Sequence, residues 1–223
     1  MPQRLPSARK IASHIIQVNP RFEVVIERSG FCTIGTKVDK RSTAGTNSNK
    51  RRESNFASLA SSILSQQLST KAAATIIGRV EEICGGSLQA KKLAEVSAVK
   101  LRAAGCSNSK ARAVRELADA TLSNQIPMRN LHRLSDQQIM EHLLPMYGIG
   151  TWTVEMFLMF QLERVDVWPV GDLGVRRGWE RIHRMRDEIT PEALSKKGES
   201  YSPYRSHVAW YCWRANEVLP ARS

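Results

Sequence analysis

The chain has 223 residues, with 33 lysines and arginines against 21 aspartates and glutamates, a formal charge of +12 and a sequence pI of about 10. That length buries one large domain or two small lobes. No apolar run is long enough to span a bilayer and residues 1–6 lack the apolar segment of a secretory signal, so an intracellular protein with no membrane partner is expected, and the excess of positive charge makes a nucleic acid the first candidate partner.

Along the chain, Ile11, Ile15, Ile16, Phe22, Val25 and Ile26 predict helix on either side of Pro20. Residues 31–54 break this pattern, and 36–52 read as a solvated basic loop. Phe56, Leu59, Ala60, Ile63 and Leu64 then recur at helical spacing. Gln66-Gln67-Leu68-Ser69 interrupts them, and Ser69 or Thr70 caps a helix over 71–84 that Gly85-Gly86 ends. Residues 97–104 and 109–122 predict two more helices broken at Gly105, with Ser107 or Ser109 as the second cap. Ser135-Asp136-Gln137-Gln138 is a capping-box signature for a helix through Leu143. After a glycine turn come a buried helix over 154–161, a helix over 173–181 behind Asp172, and a last one within 204–219. No alternating period-two run of useful length appears, so the fold class is all-α.

The four cysteines, Cys32, Cys84, Cys106 and Cys212, form no C-x-x-C pair and no iron–sulfur spacing, and are expected to be free and mostly buried. The five histidines form no H-x-x-x-H or H-E-x-x-H pair, so neither a side-chain metal site nor a cofactor is expected.

Two stretches carry the chemistry. Pro145-Met146-Tyr147-Gly148-Ile149-Gly150-Thr151-Trp152-Thr153 is a glycine hairpin between two helical patterns. Gly148 and Gly150 permit positive φ and close approach, and amides at the start of the second helix attract an anion, so the turn suits a phosphate without reading base sequence. Gly171-Asp172-Leu173-Gly174 places one carboxylate at the start of a helix. Helix capping is the simplest duty for Asp172. A carboxylate so placed also suits stabilising a sugar oxocarbenium ion as an N-glycosidic bond breaks. Glycoside hydrolysis ordinarily needs a second carboxyl as acid, but an alkylated purine already carries positive charge and leaves with less protonation.

From Phe56 to Trp213 the chain resembles the helix-hairpin-helix DNA glycosylases, and among them the 3-methyladenine DNA glycosylase II group. The hairpin and Gly171-Asp172-Leu173-Gly174 carry the resemblance. Ser62-Ile63-Leu64-Ser65-Gln66-Gln67-Leu68-Ser69, Leu101-Arg102-Ala103-Ala104-Gly105-Cys106-Ser107 and Pro203-Tyr204-Arg205-Ser206 support it. It implies two helical lobes with the active site in the cleft between them, a core over 55–223, and an N-terminal segment 1–54 packed on the C-terminal helices. It implies minor-groove approach and extrusion of the damaged nucleotide. Asp172 matches the family's catalytic residue, and Gln67 the plug that fills the emptied gap, with Leu68 in support. Trp152 and Trp213 match aromatic walls of the base pocket, with Trp168 and Met156 as further candidates. Gly148, Gly150, Thr151, Thr153, Arg176 and Lys110 are expected at phosphates, with Arg112, Arg177 and Arg205 adding to the basic face. The family hairpin also holds a monovalent cation through backbone carbonyls, which here fall to Leu144, Met146 and Ile149.

Bifunctional relatives carry a hairpin lysine where this chain has Trp152, so no Schiff base is expected there and the resemblance implies a monofunctional enzyme. Tyr201 stands where a tryptophan is often found. The expectation is a monomeric glycosylase acting on duplex DNA with alkylated bases such as 3-methyladenine and 7-methylguanine, in a bacterial cytoplasm or, if the source is eukaryotic, a nucleus. Two other readings stay open: a same-fold glycosylase for mismatched or deaminated bases, and a DNA-binding module in which Asp172 only caps a helix.

Overall fold

The structure, a computed structural model, describes residues 5–36 and 53–220. The predicted basic loop lies outside the described residues from position 37 to 52. All regular structure among the described residues is helical. In chain order the helices are α1 (Ala8–Val18), α2 (Glu23–Ser29), α3 (Asn55–Ser65), α4 (Thr70–Ile83), α5 (Ala90–Glu95) and α6 (Ala98–Ala103). They continue with α7 (Asn108–Leu122), α8 (Asp136–Leu143), α9 (Thr151–Met156), α10 (Leu173–His183), α11 (Pro191–Gly198) and α12 (Arg205–Val218). No helix is long and apolar enough to cross a membrane among the described residues.

Most of these helices start where a short polar side chain accepts an amide hydrogen of the first turn. Ser7, Ser54, Ser69, Ser97, Ser107 and Ser135 do so for α1, α3, α4, α6, α7 and α8, and Thr190 for α11. The Ser135 cap is a full capping box with Gln138. Asp172 is the one acidic member of this set among the described residues. The predicted turns hold: Pro20 opens a 3-10 turn between α1 and α2, and Gly85 and Gly86 leave α4 with φ of 79° and 97°. Two helices were not anticipated, α5 and α11. The apolar helix over 154–161 is also revised, because α9 starts earlier, at Thr151, and passes into a π-helical turn at Phe157–Gln161.

The helices gather into two compact units. One comprises residues 48–157, where α3 packs on α4 and α7, α7 receives α5 and α6, and α8 meets α9. Its interior is aliphatic, with Leu59, Ile63, Leu64, Leu101, Val114, Leu117 and Ile139 fully buried. The other comprises residues 1–47 and 158–223, where α12 packs against α10, α2 and α1. Gly178 makes the α10–α12 contact possible, since any Cβ there would fall on the Cys212 backbone. The segment after α2 is pinned to α12 by the Cys32 amide donating to the Tyr211 hydroxyl (3.2 Å) and by His207 Nε2 meeting the Ile34 carbonyl oxygen (3.0 Å). Burial lifts Cys32 to a pKa of about 12, pushes the Tyr211 phenol up as well and lowers His207 to about 4, which marks a dry interior rather than a site. All four cysteines are free and buried.

Candidate functional site

Two clusters stand out, one in each unit. The first lies at the start of α10. Asp172 Oδ1 accepts the Val175 amide hydrogen at 2.7 Å, which closes the helix cap, and also the Trp213 indole N–H at 2.9 Å. Both bonds reach one carboxylate oxygen and fix its plane. Gly174 provides the room: a Cβ there would lie 2.8 Å from Trp213 Cδ1 and 3.1 Å from Asp172 Oδ1. Asn216, one turn on from Trp213, donates to the Gly174 carbonyl at 2.8 Å and so holds α12 in register against α10. Asp172 and Trp213 are both half-buried.

Phe160, which the sequence reading did not single out, lies 5.7 Å from the Trp213 ring at 31° and is 52 % exposed. An exposed phenylalanine against a half-buried tryptophan beside a fixed carboxylate is an apolar, π-rich surface with one anionic edge. A flat cation would stack there and meet the charge at the same time.

Other residues expected at a pocket or phosphate have different surroundings. Trp168 is only 9 % exposed, its indole N–H donates to the Leu194 carbonyl at 3.0 Å, and its ring lies edge-on to Trp179. It is a packing residue of its unit, as is Tyr201, which is buried against Phe22 and Trp179 and has its phenol pushed up to about 12. Arg205 forms a two-toothed pair with Asp166 (2.7 and 2.8 Å), which anchors the start of α12 instead of facing outward. Arg176 is half-buried on α10, with Nη1 3.4 Å from the Ile189 carbonyl, while Arg177 is exposed.

The second cluster is the hairpin between α8 and α9. The chain turns through Met146 N–H to Leu143 O and Ile149 N–H to Met146 O, both 3.1 Å. Gly148 has φ of 80°, and a Cβ there would lie 2.9 Å from the Ala113 Cβ, so glycine is demanded by both conformation and space. Gly150 differs from expectation. Its φ is −103° with ψ of 171°, extended backbone open to any residue, and a Cβ there would meet nothing within 4 Å. It caps α9, whose first backbone bond runs from Val154 N–H to Gly150 O, so the amides of residues 151–153 precede the helix ladder. The outer side chains here are Thr151 and Trp152, the latter 52 % exposed. Thr153 is buried, so only its backbone is positioned for an anion, and Met156 is half-buried at the end of α9.

The hairpin is braced by its own unit. Gln66 Nε2 donates to the Gly148 carbonyl at 2.9 Å, and the Arg112 guanidinium sits 4.0 Å over the Tyr147 ring while pairing with Glu116. The Gln66 bond ties the turn after α3 to the hairpin. At the tip of that turn Gln67 is exposed with φ of 55°, and Leu68 is exposed beside it. A non-glycine residue in the left-handed region costs about 1–2 kcal/mol, and such positions cluster where a side chain must be presented. Lys110 is drawn into the protein: its Nζ donates to the Leu64 carbonyl at 2.8 Å near the end of α3, and desolvation lowers its pKa. That bond engages one of the three ammonium donors.

Residues 60–203 match the family described as "HhH-GPD superfamily base excision DNA repair protein". The chain is 34 % identical over 175 residues to DNA-3-methyladenine glycosylase 1 of Schizosaccharomyces pombe, covering 77 % of each chain. Among solved structures, the fission-yeast 3-methyladenine DNA glycosylase bound to abasic DNA superposes with a TM-score of 0.79 at 28 % identity, covering 96 % of this chain and all of that one. A DNA-3-methyladenine glycosidase from Bacillus halodurans gives 0.78 at 33 % identity, covering 93 % and 89 %.

Proposed function

The chain belongs to the HhH-GPD superfamily of base-excision DNA repair proteins, and from that premise we propose that it is a monofunctional glycosylase for alkylated, cationic purines in duplex DNA. The observation that carries the reading is the fixed carboxylate of Asp172, bonded to Trp213 beside the exposed Phe160 ring. An extruded, positively charged purine stacks on Trp213 and Phe160. As the N-glycosidic bond breaks, its electron pair leaves with the base, which becomes neutral. The sugar C1′ takes up positive charge that the carboxylate of Asp172 opposes. Water then adds at C1′ and gives up a proton, leaving an abasic sugar in an unbroken strand.

The hairpin supplies positioning. Gly148 and residues 150–153 offer amides to a phosphate, and the glycine at 150 leaves open the space that a Cβ would take from it. A monovalent cation on the carbonyls of Leu144, Met146 and Ile149 fits the turn, since the Met146 oxygen keeps a second lone pair beside its bond to the Ile149 amide. Gln67, presented by its left-handed backbone and seconded by Leu68, fills the gap left by the extruded nucleotide. Arg176, Arg177 and the wider positive charge add salt-dependent grip. Trp152 at the hairpin lysine position of bifunctional relatives leaves no amine there for an imine.

The test is base release from methylated genomic DNA with borohydride present or absent. Free 3-methyladenine and 7-methylguanine, with no trapped protein–DNA adduct, are expected. Release confined to mismatched or deaminated substrates contradicts the alkylated-base reading, and an efficient adduct contradicts the monofunctional one.

A further inference from the structure

The far end of α10 carries a charge cluster that base excision leaves unused. An open cavity of about 690 Å³ is lined there by Arg21, Arg181, Arg184 and Arg186. Arg184 ends the helix in the left-handed conformation, φ 52° and ψ 40°, where glycine or asparagine is the low-cost residue. Arg184 and Arg186 are exposed. Arg21 and Arg181 are held in place: Arg21 Nη1 donates to the His183 carbonyl at 2.8 Å, and Arg181 Nη1 to those of Asn216 and Leu219 at 3.2 and 3.3 Å. Each of these bonds engages one nitrogen of a five-donor fork. The one carboxylate on the wall, Glu180, is buried and accepts the Ile189 amide hydrogen at 2.8 Å, while Asp187 and Glu188, next along the chain, do not line the cavity.

The helix end alone does not account for this. A helix C-terminus presents about half a negative charge, which one cation answers, and four guanidinium groups stand here. Nor does DNA held at Asp172. The 11 residues of α10 span about 16 Å, so the arginines lie a helix length from that carboxylate. The walls also include Val24, which is 44 % exposed, Met185 and Leu219. The lining holds no aromatic ring on which a base could stack, whereas arginine and methionine beside apolar surface are the composition of protein interfaces.

We propose that this cavity docks an acidic peptide segment of a partner protein, with carboxylates on the arginine forks and an apolar side chain against Val24, Met185 and Leu219. Guanidinium and carboxylate match in a planar, two-toothed geometry.

The test uses the full chain and a fluorescein-labelled ten-residue peptide of alternating Glu and Leu, read by fluorescence anisotropy. The double variant Arg184→Glu/Arg186→Glu is compared with Lys91→Glu/Lys92→Glu, an equal change of charge on exposed residues of α5. Saturable binding that weakens at least tenfold in the first variant and less than twofold in the second is expected, with base release unchanged in both. Arg184→Gly supplies a check that misfolding cannot mimic: relief of the left-handed strain raises Tm while peptide binding falls. Saturating undamaged duplex should leave the peptide bound, an arm that rests on the proposed role of Asp172, whereas the peptide titrations do not. Absent or non-saturable binding, equal weakening in the two double variants, or displacement by a twelve-nucleotide single strand overturns the proposal, the last result marking a second nucleic-acid site instead.

Discussion

The start of α10 and the hairpin before α9 are both helix N-termini, yet they are held by opposite means. Asp172 is fixed by side-chain bonds from Val175, three residues away, and Trp213, 41 residues away, with Gly174 cleared to admit the indole. The hairpin is fixed mostly by its own backbone turns, with Gly148 as the required glycine and Gln66 as the brace. A reacting centre needs a side chain aimed within tenths of an ångström, and long-range contacts set that aim. A phosphate grip needs only a ring of amides, which a short stretch of chain makes by itself. The two N-termini should therefore fail differently when disturbed.

Among the neighbours of Asp172, the largest effect is expected at Trp213. Trp213→Ala removes a stacking surface and a hydrogen bond to a charged group, worth about 1–3 and 1.5–3 kcal/mol. Single-turnover excision should fall by roughly 100-fold at least. Trp213→Phe keeps a ring and loses only the bond, so roughly a tenfold loss is expected. Equal rates for the phenylalanine variant and the parent would mean that the bond to Asp172 does not serve the reaction.

Gly148→Ala should act on the hairpin as structure. It combines a positive-φ penalty of about 1–2 kcal/mol with a clash at Ala113, and thermal unfolding should shift down by about 5–10 °C with DNA affinity lost for every sequence alike. An unchanged Tm would show that the turn relaxes freely. Gln67→Ala should slow excision from duplex about fivefold while leaving single strands little affected, since the gap-filling stack of a few kcal/mol matters only in a duplex. Equal losses on both would make the left-handed turn merely structural. The smallest effect on stability belongs to Gly150→Ala. Tm should stay the same or rise slightly, because the backbone there is extended and the space open, while affinity for any duplex drops a few-fold. An affinity unchanged across a salt series would remove the hairpin from the phosphate contact.

The same contrast explains what could be read in advance. Caps and glycines are local signals, and Ser69, Ser107, Ser135, Asp172 and Gly85-Gly86 marked helix ends that the structure keeps. Helix α11 also has a legible start, with Thr190 as cap and Pro191 in the first turn. Helix α5 had none, being six residues long without a side-chain cap. The pairing of Phe160 with Trp213 is a contact between distant segments and leaves no mark in spacing. The bonds from Lys110 to the Leu64 carbonyl and from Trp168 to the Leu194 carbonyl likewise join distant segments and leave no mark in spacing. Gly150 is like Gly148 in sequence, and only φ and the room for a Cβ separate them.

The most direct measurement is single-turnover release of a methylated purine by Asp172→Asn, with duplex binding and Tm measured on the same protein. Asparagine caps helices as well as aspartate does, and its side-chain oxygen accepts from both Val175 and Trp213, so geometry is kept while the charge is removed. Unchanged Tm, duplex binding as tight or tighter, and excision slowed about 100- to 1,000-fold are expected. Excision near the parent rate would contradict the role given to the carboxylate and leave Asp172 as a helix cap.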